Sequence, residues 1–255
     1  MTEPNLMKVL YIARIYDIIA LNEAFLQESS CHDIKVFAEV NPMKKDELHT
    51  LLDEMSSPDH IIDLLDAPKW PWAKKNHLNE DELFPLLQDF ILSRSSKPET
   101  KIRENAYSIL GKLLSRMMKA EYCQFLIDSL DRESDKTVQH TILTFLSRLQ
   151  LSVELDITPI VACSQNEAWQ VRHSAIMALG ASDTDAAREA VRYWVRQEDE
   201  KQYKLEIIYA NAALGYIGDA DDITLLEKHI HSRIRDVKDS AIYAIDQIRR
   251  KGEKP

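Results

Sequence analysis

Glycine and proline are scarce in this chain, and their scarcity narrows the fold class first. The 255 residues contain 5 Gly and 9 Pro, and long stretches contain neither. An all-β protein of this length needs many more turn residues, whereas α-helices run uninterrupted without them. Apolar residues make up 45% of the chain, which allows a sizeable core. The composition therefore predicts an all-α protein.

Cysteine is also rare, and its spacing indicates no covalent or metal cross-link. Cys31, Cys123 and Cys163 are far apart and odd in number, with no CxxC pair. We therefore expect reduced, buried thiols in a cytoplasmic protein, without a disulfide framework or a zinc site. We also expect neither a signal peptide nor a membrane span, because charged residues interrupt the apolar run over residues 9–26.

Positive charge is in deficit, mainly in the N-terminal part of the chain. The formal net charge is −10, and the first hundred residues hold 18 acidic against 10 basic side chains. An acidic protein without a basic patch repels a phosphate backbone, so this balance argues against a nucleic-acid partner. Two interpretations stay open: the acidity serves solubility, or it provides a surface for a basic partner protein.

Motifs that would indicate catalysis or a cofactor are missing as well. The chain contains no GxxxxGK[ST], GxGxxG or GxSxG segment. Its eight histidines include no His-Glu dipeptide, and the one close pair, His229 and His231, would point in different directions from a helix. We predict no metal and no cofactor, and no catalysis unless one of the enzyme alternatives below applies.

A helical pattern occurs five times in the chain. In residues 168–180, AWQVRHSAIMALG, apolar residues recur at helical spacing, and Gly180 is predicted to end the helix as a glycine C-cap. Successive copies are 36, 33, 35 and 31 residues apart, which is a period of helical hairpins. Second helices are predicted between the copies, over residues 116–130, 152–163, 184–197 and 220–231. The five repeat segments are 101–113, 137–149, 168–180, 205–218 and 236–248, with Ala106, Ile142, Ala175, Ala210 and Ala241 as equivalent residues.

The repeat segments resemble the line V-R-x-x-A-x-x-A-L-G of HEAT repeats, especially the short bacterial HEAT-like kind. Residues 171–180 match the line at every marked position and residues 102–111 match closely, whereas Ser147 and Asp246 replace its glycine. The resemblance covers residues 79–250. It implies an α-solenoid, an armadillo-like right-handed superhelix of stacked antiparallel hairpins, and most commonly a role in binding other proteins.

The resemblance divides the chain into three parts. Residues 1–78 do not match the repeat line and are predicted to form an N-terminal helical segment, either a cap or degenerate repeats. Residues 79–250 are predicted to form the repeat array. Residues 251–255 are predicted to be a disordered tail.

The resemblance also implies a binding surface. Helices in the position of the repeat segments usually line the concave side of HEAT-like arrays, so positions opposite the buried stripe are predicted to face a partner. Their mixed aromatic, amide and acidic character suits a protein or peptide. Arg103 and Arg172 are predicted instead to pair with an acid of the adjoining repeat. The predicted partner-binding residues are Glu104, Tyr107, His140, Trp169, His173, Met177, Asn211, Asp239 and Tyr243.

These inferences favour a noncatalytic protein-binding module that acts as a scaffold, adaptor or assembly factor. One alternative is an inhibitor or immunity-type protein that neutralises a basic enzyme through an acidic surface. The other is a HEAT-like enzyme, either a chromophore lyase or a DNA glycosylase. The glycosylase alternative would place Trp169, Trp194 and Asp183 at the damaged base.

Overall fold

Helices account for the regular structure of the described part of the chain. The structure is a computed structural model that describes residues 48, 50, 52, 80–93, 99–115 and 118–252. All of these residues lie in the unit Val40–Pro255. They contain no named strand, and Leu151 and Ser182 form an isolated parallel β-bridge. The all-α prediction is therefore confirmed for these residues. Apart from three positions, the segment predicted over residues 1–78 lies outside them.

The described residues contain ten α-helices and one 3-10 helix. The 3-10 helix, Ala220–Asp222, lies between the eighth and ninth α-helices. The α-helices are α1 Glu80–Ser93, α2 Thr100–Leu114, α3 Ala120–Arg132, α4 Lys136–Leu146, α5 Thr158–Cys163, α6 Trp169–Leu179, α7 Asp185–Val195, α8 Lys204–Ile217, α9 Ile223–Leu226 and α10 Arg235–Gly252.

Each repeat segment forms one helix, within two residues of the predicted start. We call α2, α4, α6, α8 and α10 the repeat helices, and α3, α5 and α7 the second helices. Side-chain caps explain some of the boundaries. The Asp135 carboxylate accepts hydrogen bonds from the backbone N–H groups of Thr137 and Val138 at the start of α4, and Thr184 caps α7 in the same way.

Two of the predicted second helices are much shorter than expected. Helix α5 covers six residues, Thr158–Cys163, and not residues 152–163. The Leu151 N–H donates to the Ala181 carbonyl over 2.9 Å, which holds the chain extended at this point. The stretch 220–231 contains a 3-10 helix and the four-residue α9, followed by turns. Tertiary hydrogen bonds therefore override helical periodicity in these connections.

Neighbouring helices of each kind pack against one another in chain order. Helix α2 contacts α4, α4 contacts α6, α6 contacts α8, and α8 contacts α10. The second helices follow the same order, since α3 contacts α5 and α5 contacts α7. The core runs along the repeat helices, and the five equivalent residues of the repeat segments are all completely buried: Ala106, Ile142, Ala175, Ala210 and Ala241.

The glycines of the repeat segments lie where the repeat helices approach most closely. Helix α6 ends before Gly180 as predicted, but Gly180 has φ −63° and ψ −12°, which any residue adopts. Space explains the glycine, because a Cβ there would lie 3.1 Å from the Cα of Ala213 in α8. At Gly111 of α2 a Cβ would lie only 2.2 Å from Cγ of Phe145 in α4. Close helix packing therefore requires these glycines.

The last helix runs beyond the predicted end of the array. Helix α10 extends to Gly252, so Lys251 and Gly252 belong to it and not to a disordered tail. The Lys251 ammonium donates to the carbonyls of Tyr216 and Gly218 over 2.7 and 2.9 Å. Residues 253–255 lie outside the described part of the chain. In the part described, no helix has both the length and the apolar character to cross a membrane.

Candidate partner-binding surface

Arg103, the arginine of the first repeat segment, forms a buried ion pair with Glu133. The Arg103 guanidinium donates from Nε and Nη2 to the two carboxylate oxygens of Glu133, over 3.0 and 3.1 Å. Both side chains are almost completely buried. The hydroxyl of Tyr107 also donates to Glu133, over 3.2 Å, and burial raises the pKa of Tyr107. This cluster ties α2 to the segment that leads into α4.

The second repeat arginine joins two neighbouring repeat helices. Arg172 of α6 donates from Nε and Nη2 to Oε1 of Glu206 in α8, over 2.8 and 2.5 Å. Its Nη1 donates to the Asn166 carbonyl over 2.7 Å, so one side chain also holds the loop before α6. Burial alone would raise the pKa of Glu206, but the adjacent His173 ring and the hydrogen bonds from Arg172 lower it to about 2.

His173 lies inside the packing between α6 and α8, and not on an open surface as predicted. Its side chain is 7% exposed, and Nε2 lies 3.1 Å from Oε1 of Glu206. Its ring lies between Trp169 and Tyr209, at centroid distances of 5.5 and 5.1 Å. Among the described residues, His173 Nδ1 has no hydrogen-bond partner.

Tyr107 and Asn211 are also buried, so their assignment to a contact surface is wrong. Tyr107 is 1% exposed and Asn211 is completely buried. The Asn211 amide donates over 3.0 Å to the Ser240 hydroxyl, which joins α8 to α10. The sequence argument assumed one buried stripe, but a repeat helix has neighbours on two sides. In α2, ten of the fifteen residues are buried.

The other predicted contact residues keep some exposure, and several take part in local polar contacts. Glu104 accepts hydrogen bonds from Lys101 and Thr141, and His140 Nδ1 lies 2.6 Å from the Ser174 hydroxyl. Asp239 forms an ion pair with Arg235 in the next turn toward the N-terminus of α10. Glu104 and His140 therefore help to join neighbouring repeat helices, whereas the Asp239 pair lies within α10. The predicted contact residues that are exposed or half-buried are Glu104, His140, Trp169, Met177, Asp239 and Tyr243.

Four aromatic or methionine side chains remain accessible on three consecutive repeat helices, and we call them the exposed strip. Trp169 of α6 is 51% exposed and Tyr216 of α8 is 37% exposed. Met177 of α6 and Tyr243 of α10 are half-buried. The sequence argument missed Tyr216 because it extended the strip only two residues beyond each equivalent residue. Tyr216 lies four residues, or about one helical turn, beyond the last position that the argument included on α8. It therefore returns to nearly the same face of the helix as that position.

In the described part of the chain after α2, the exposed acidic side chains lie mainly on the second helices and the connections. The five repeat helices carry 11 basic and 5 acidic side chains, although the whole chain is acidic. Net charge is therefore a poor guide to the repeat helices themselves. The exposed acidic residues of the second helices, the 3-10 helix and the connections after α2 are Glu121, Asp131, Glu154, Asp156, Glu167, Asp183, Asp185, Glu189, Glu198, Asp199, Asp219, Asp221 and Glu227.

The described residues contain little that resembles a catalytic arrangement. No three His, Cys, Asp or Glu side chains among them are arranged to hold a metal ion. Burial raises the thiol pKa of Cys123 and of Cys163 to about 11, which disfavours the reactive thiolate. Trp194 is buried and donates its indole N–H to the Ser164 carbonyl. Asp183 pairs with Arg188.

Comparisons with known proteins add no family. No family model matches the chain, and no curated protein is similar to it. Among solved structures, the chain is similar to the crystal structure of an engineered protein from the Northeast Structural Genomics Consortium. The two share 16% sequence identity with a TM-score of 0.47, and the match covers 81% of this chain and 90% of that chain. A likeness at this level supports no conclusion about function.

Proposed function

We propose that the helices form a HEAT-like α-solenoid and that the chain is a noncatalytic protein-binding module of the cytoplasm. The recurrence of one packing register supports the solenoid. Gly111 lies against Phe145, Gly180 against Ala213, and Gly215 against Ala244. In each pair, the glycine is the fifth residue after the equivalent residue of its own repeat segment. The residue that it contacts is the third after the equivalent residue of the following repeat segment. A register repeated at three of the four contacts between successive repeat helices is typical of stacked repeats.

The exposed indole of Trp169 carries the proposal for partner binding. Large aromatic side chains dominate the energetics of protein interfaces, and an indole that is half accessible has apolar area available for a partner. The strip also contains a thioether and two phenol rings, at Met177, Tyr216 and Tyr243. Buried polar groups of the repeat helices instead hold the helices together, as Arg172 and Glu206 do. We propose that a protein partner lies along the exposed strip.

Affinity capture with matched aromatic variants tests this proposal. The wild-type chain, the double variant Trp169→Ala/Tyr216→Ala and the control Tyr193→Ala are immobilised and compared for the partners they retain. Tyr193 is 47% exposed but lies on second helix α7, so the control removes an exposed aromatic ring from a helix outside the exposed strip. We expect Tyr193→Ala to retain the partner and the double variant to lose it. Retention by a correctly folded double variant would contradict the proposal.

The exposed acidic residues support a second candidate, an inhibitor that binds a basic protein through the second helices. Asp185 has a side chain that is 99% exposed, and Glu189 on the same helix is 62% exposed. In this case Asp185→Asn/Glu189→Gln would weaken capture, and rising salt would release the partner because exposed charges are screened. The Trp169→Ala/Tyr216→Ala variant would then bind normally. The same capture experiment therefore separates the two candidates.

A further inference from the structure

His229 sits in a buried position that joins three parts of the chain. It lies in the connection between α9 and α10 and is 4% exposed. Its Nδ1 lies 3.0 Å from Oε1 of Glu200, which belongs to the connection between α7 and α8. Its Nε2 lies 2.8 Å from the carbonyl oxygen of Val195, the last residue of α7. The Ser232 hydroxyl donates to the other Glu200 oxygen over 2.5 Å.

Both groups that face the His229 ring accept hydrogen bonds when Glu200 is ionised. A carboxylate oxygen and a backbone carbonyl oxygen offer lone pairs only. A neutral imidazole has one N–H, so one of its nitrogens would direct a lone pair at an oxygen lone pair. An imidazolium has two N–H groups and donates to both. The carbonyl end of α7 also attracts a positive charge through the helix dipole.

Glu200 is the charged group that faces the ring directly. Burial alone would raise the pKa of Glu200, but hydrogen bonds from Ser232 and His229 lower it. Glu200 is therefore ionised wherever a histidine titrates. On the packed elements, Arg196, directly after α7, pairs with Glu189 of α7, and Lys204 of α8 pairs with Asp236 of α10. Tyr203 of the first connection is half-buried, and the other charged or titratable side chains of the two connections are exposed: Glu198, Asp199, Lys201, Glu227, Lys228, His231 and Arg233.

We infer that His229 is a buried imidazolium that fastens the connection between α9 and α10 to the end of α7 and to Glu200. Loss of the proton removes one of the two hydrogen bonds. The fastened connection leads directly into α10, the last repeat helix of the described chain.

Nitrogen-15 NMR of the histidine rings in the full chain tests the charge state directly. His231 is exposed and two residues away, so it provides an internal reference in the same sample. We expect both His229 nitrogens to show the chemical shifts of protonated nitrogen at pH 7. A single-tautomer neutral spectrum for His229 at pH 7 would overturn the inference.

Glu200→Gln separates the charge effect from packing, with Glu198→Gln as the matched control. Gln keeps the size of the side chain but removes its charge, so we expect His229 to become neutral at pH 7 in Glu200→Gln only. A His229 ring that stays doubly protonated in Glu200→Gln would contradict the role of the carboxylate.

Discussion

Two arginine–carboxylate pairs, one between repeat helices and one at a second helix, differ in how far water reaches them. Glu206 of repeat helix α8 is 4% exposed and receives hydrogen bonds from Arg172. Asp185 of second helix α7 also pairs with an arginine, Arg188, but its side chain is 99% exposed. The pairs are chemically similar, and water access differs. Burial therefore determines whether breaking such a pair lowers the free energy of unfolding strongly or hardly at all.

Replacing Glu206 by Ala should produce the largest effect and test this difference most strongly. The change leaves the Arg172 guanidinium with backbone carbonyl partners alone and removes the carboxylate beside His173. We expect the free energy of unfolding to fall by about 3 kcal/mol, measured by urea denaturation. The matched variant Asp185→Ala should leave stability unchanged within error. Equal effects of the two substitutions would show that water access does not separate the Arg172–Glu206 pair from the Arg188–Asp185 pair.

Acid should reproduce much of the effect of Glu206→Ala. The pKa of Glu206 is about 2 in the folded chain, below its value of 4.5 in the unfolded chain. The stabilisation is therefore complete above pH 4.5 and disappears as pH falls toward 2. Since about 2.5 pKa units separate the two states, about 3 kcal/mol is at stake. We expect the stability difference between wild type and Glu206→Gln to shrink between pH 5 and pH 2, and a constant difference would contradict this assignment.

Gly111→Val should test how closely the repeat helices approach. The added Cβ alone would lie 2.2 Å from Cγ of Phe145, close to the backbone of α4. We expect a loss of about 2 kcal/mol from overpacking, after the helix propensity gained by removing glycine. The control is Gly252→Ala, where a Cβ meets nothing within 4 Å. Thermal unfolding of both variants would show whether the loss depends on helix contact.

Asn211→Leu is expected to have the smallest effect, and in the stabilising direction. Asn211 is completely buried, and its Oδ1 has no hydrogen-bond partner among the described residues. Leu143 and Ile176 occupy the equivalent positions of α4 and α6 and are also completely buried. Ser240 keeps its bond to the Val237 carbonyl after the change. We expect a gain of up to about 1 kcal/mol in urea denaturation, and a loss above that size would show that the amide specifies how α8 meets α10.

Predictions from the sequence were accurate where the controlling interactions are local. The segment 168–180 predicted helix α6, Trp169–Leu179, from the spacing of its apolar residues. The stretch 152–163 failed because the Leu151 N–H bonds to Ala181, thirty residues away, and a periodicity argument contains no such contact. Helices stabilised by contacts between nearby residues can therefore be predicted from sequence. Segments whose conformation depends on hydrogen bonds to distant backbone groups cannot.

The candidate surface was predictable only in part, for a related reason. Trp169 stays exposed because it begins helix α6, whereas His173 one turn later is enclosed by Trp169, Tyr209 and Glu206. The predicted angle of His173 around its helix points away from the core stripe. Exposure depends on the neighbouring helix as well, and that helix arrives from a segment more than thirty residues away. A helical wheel cannot represent this second neighbour.

By itself, the sequence determined the repeat helices, their period and the buried apolar residues at their equivalent positions. Helical periodicity and side-chain size are properties of a few adjacent residues, so a short stretch of sequence is enough to predict them. Only the tertiary structure decided that Glu206 receives Arg172, that Asn211 and Tyr107 are buried, and that His229 meets Glu200. Burial and hydrogen bonding depend on which distant groups come within about 3 Å, and packing alone sets those distances.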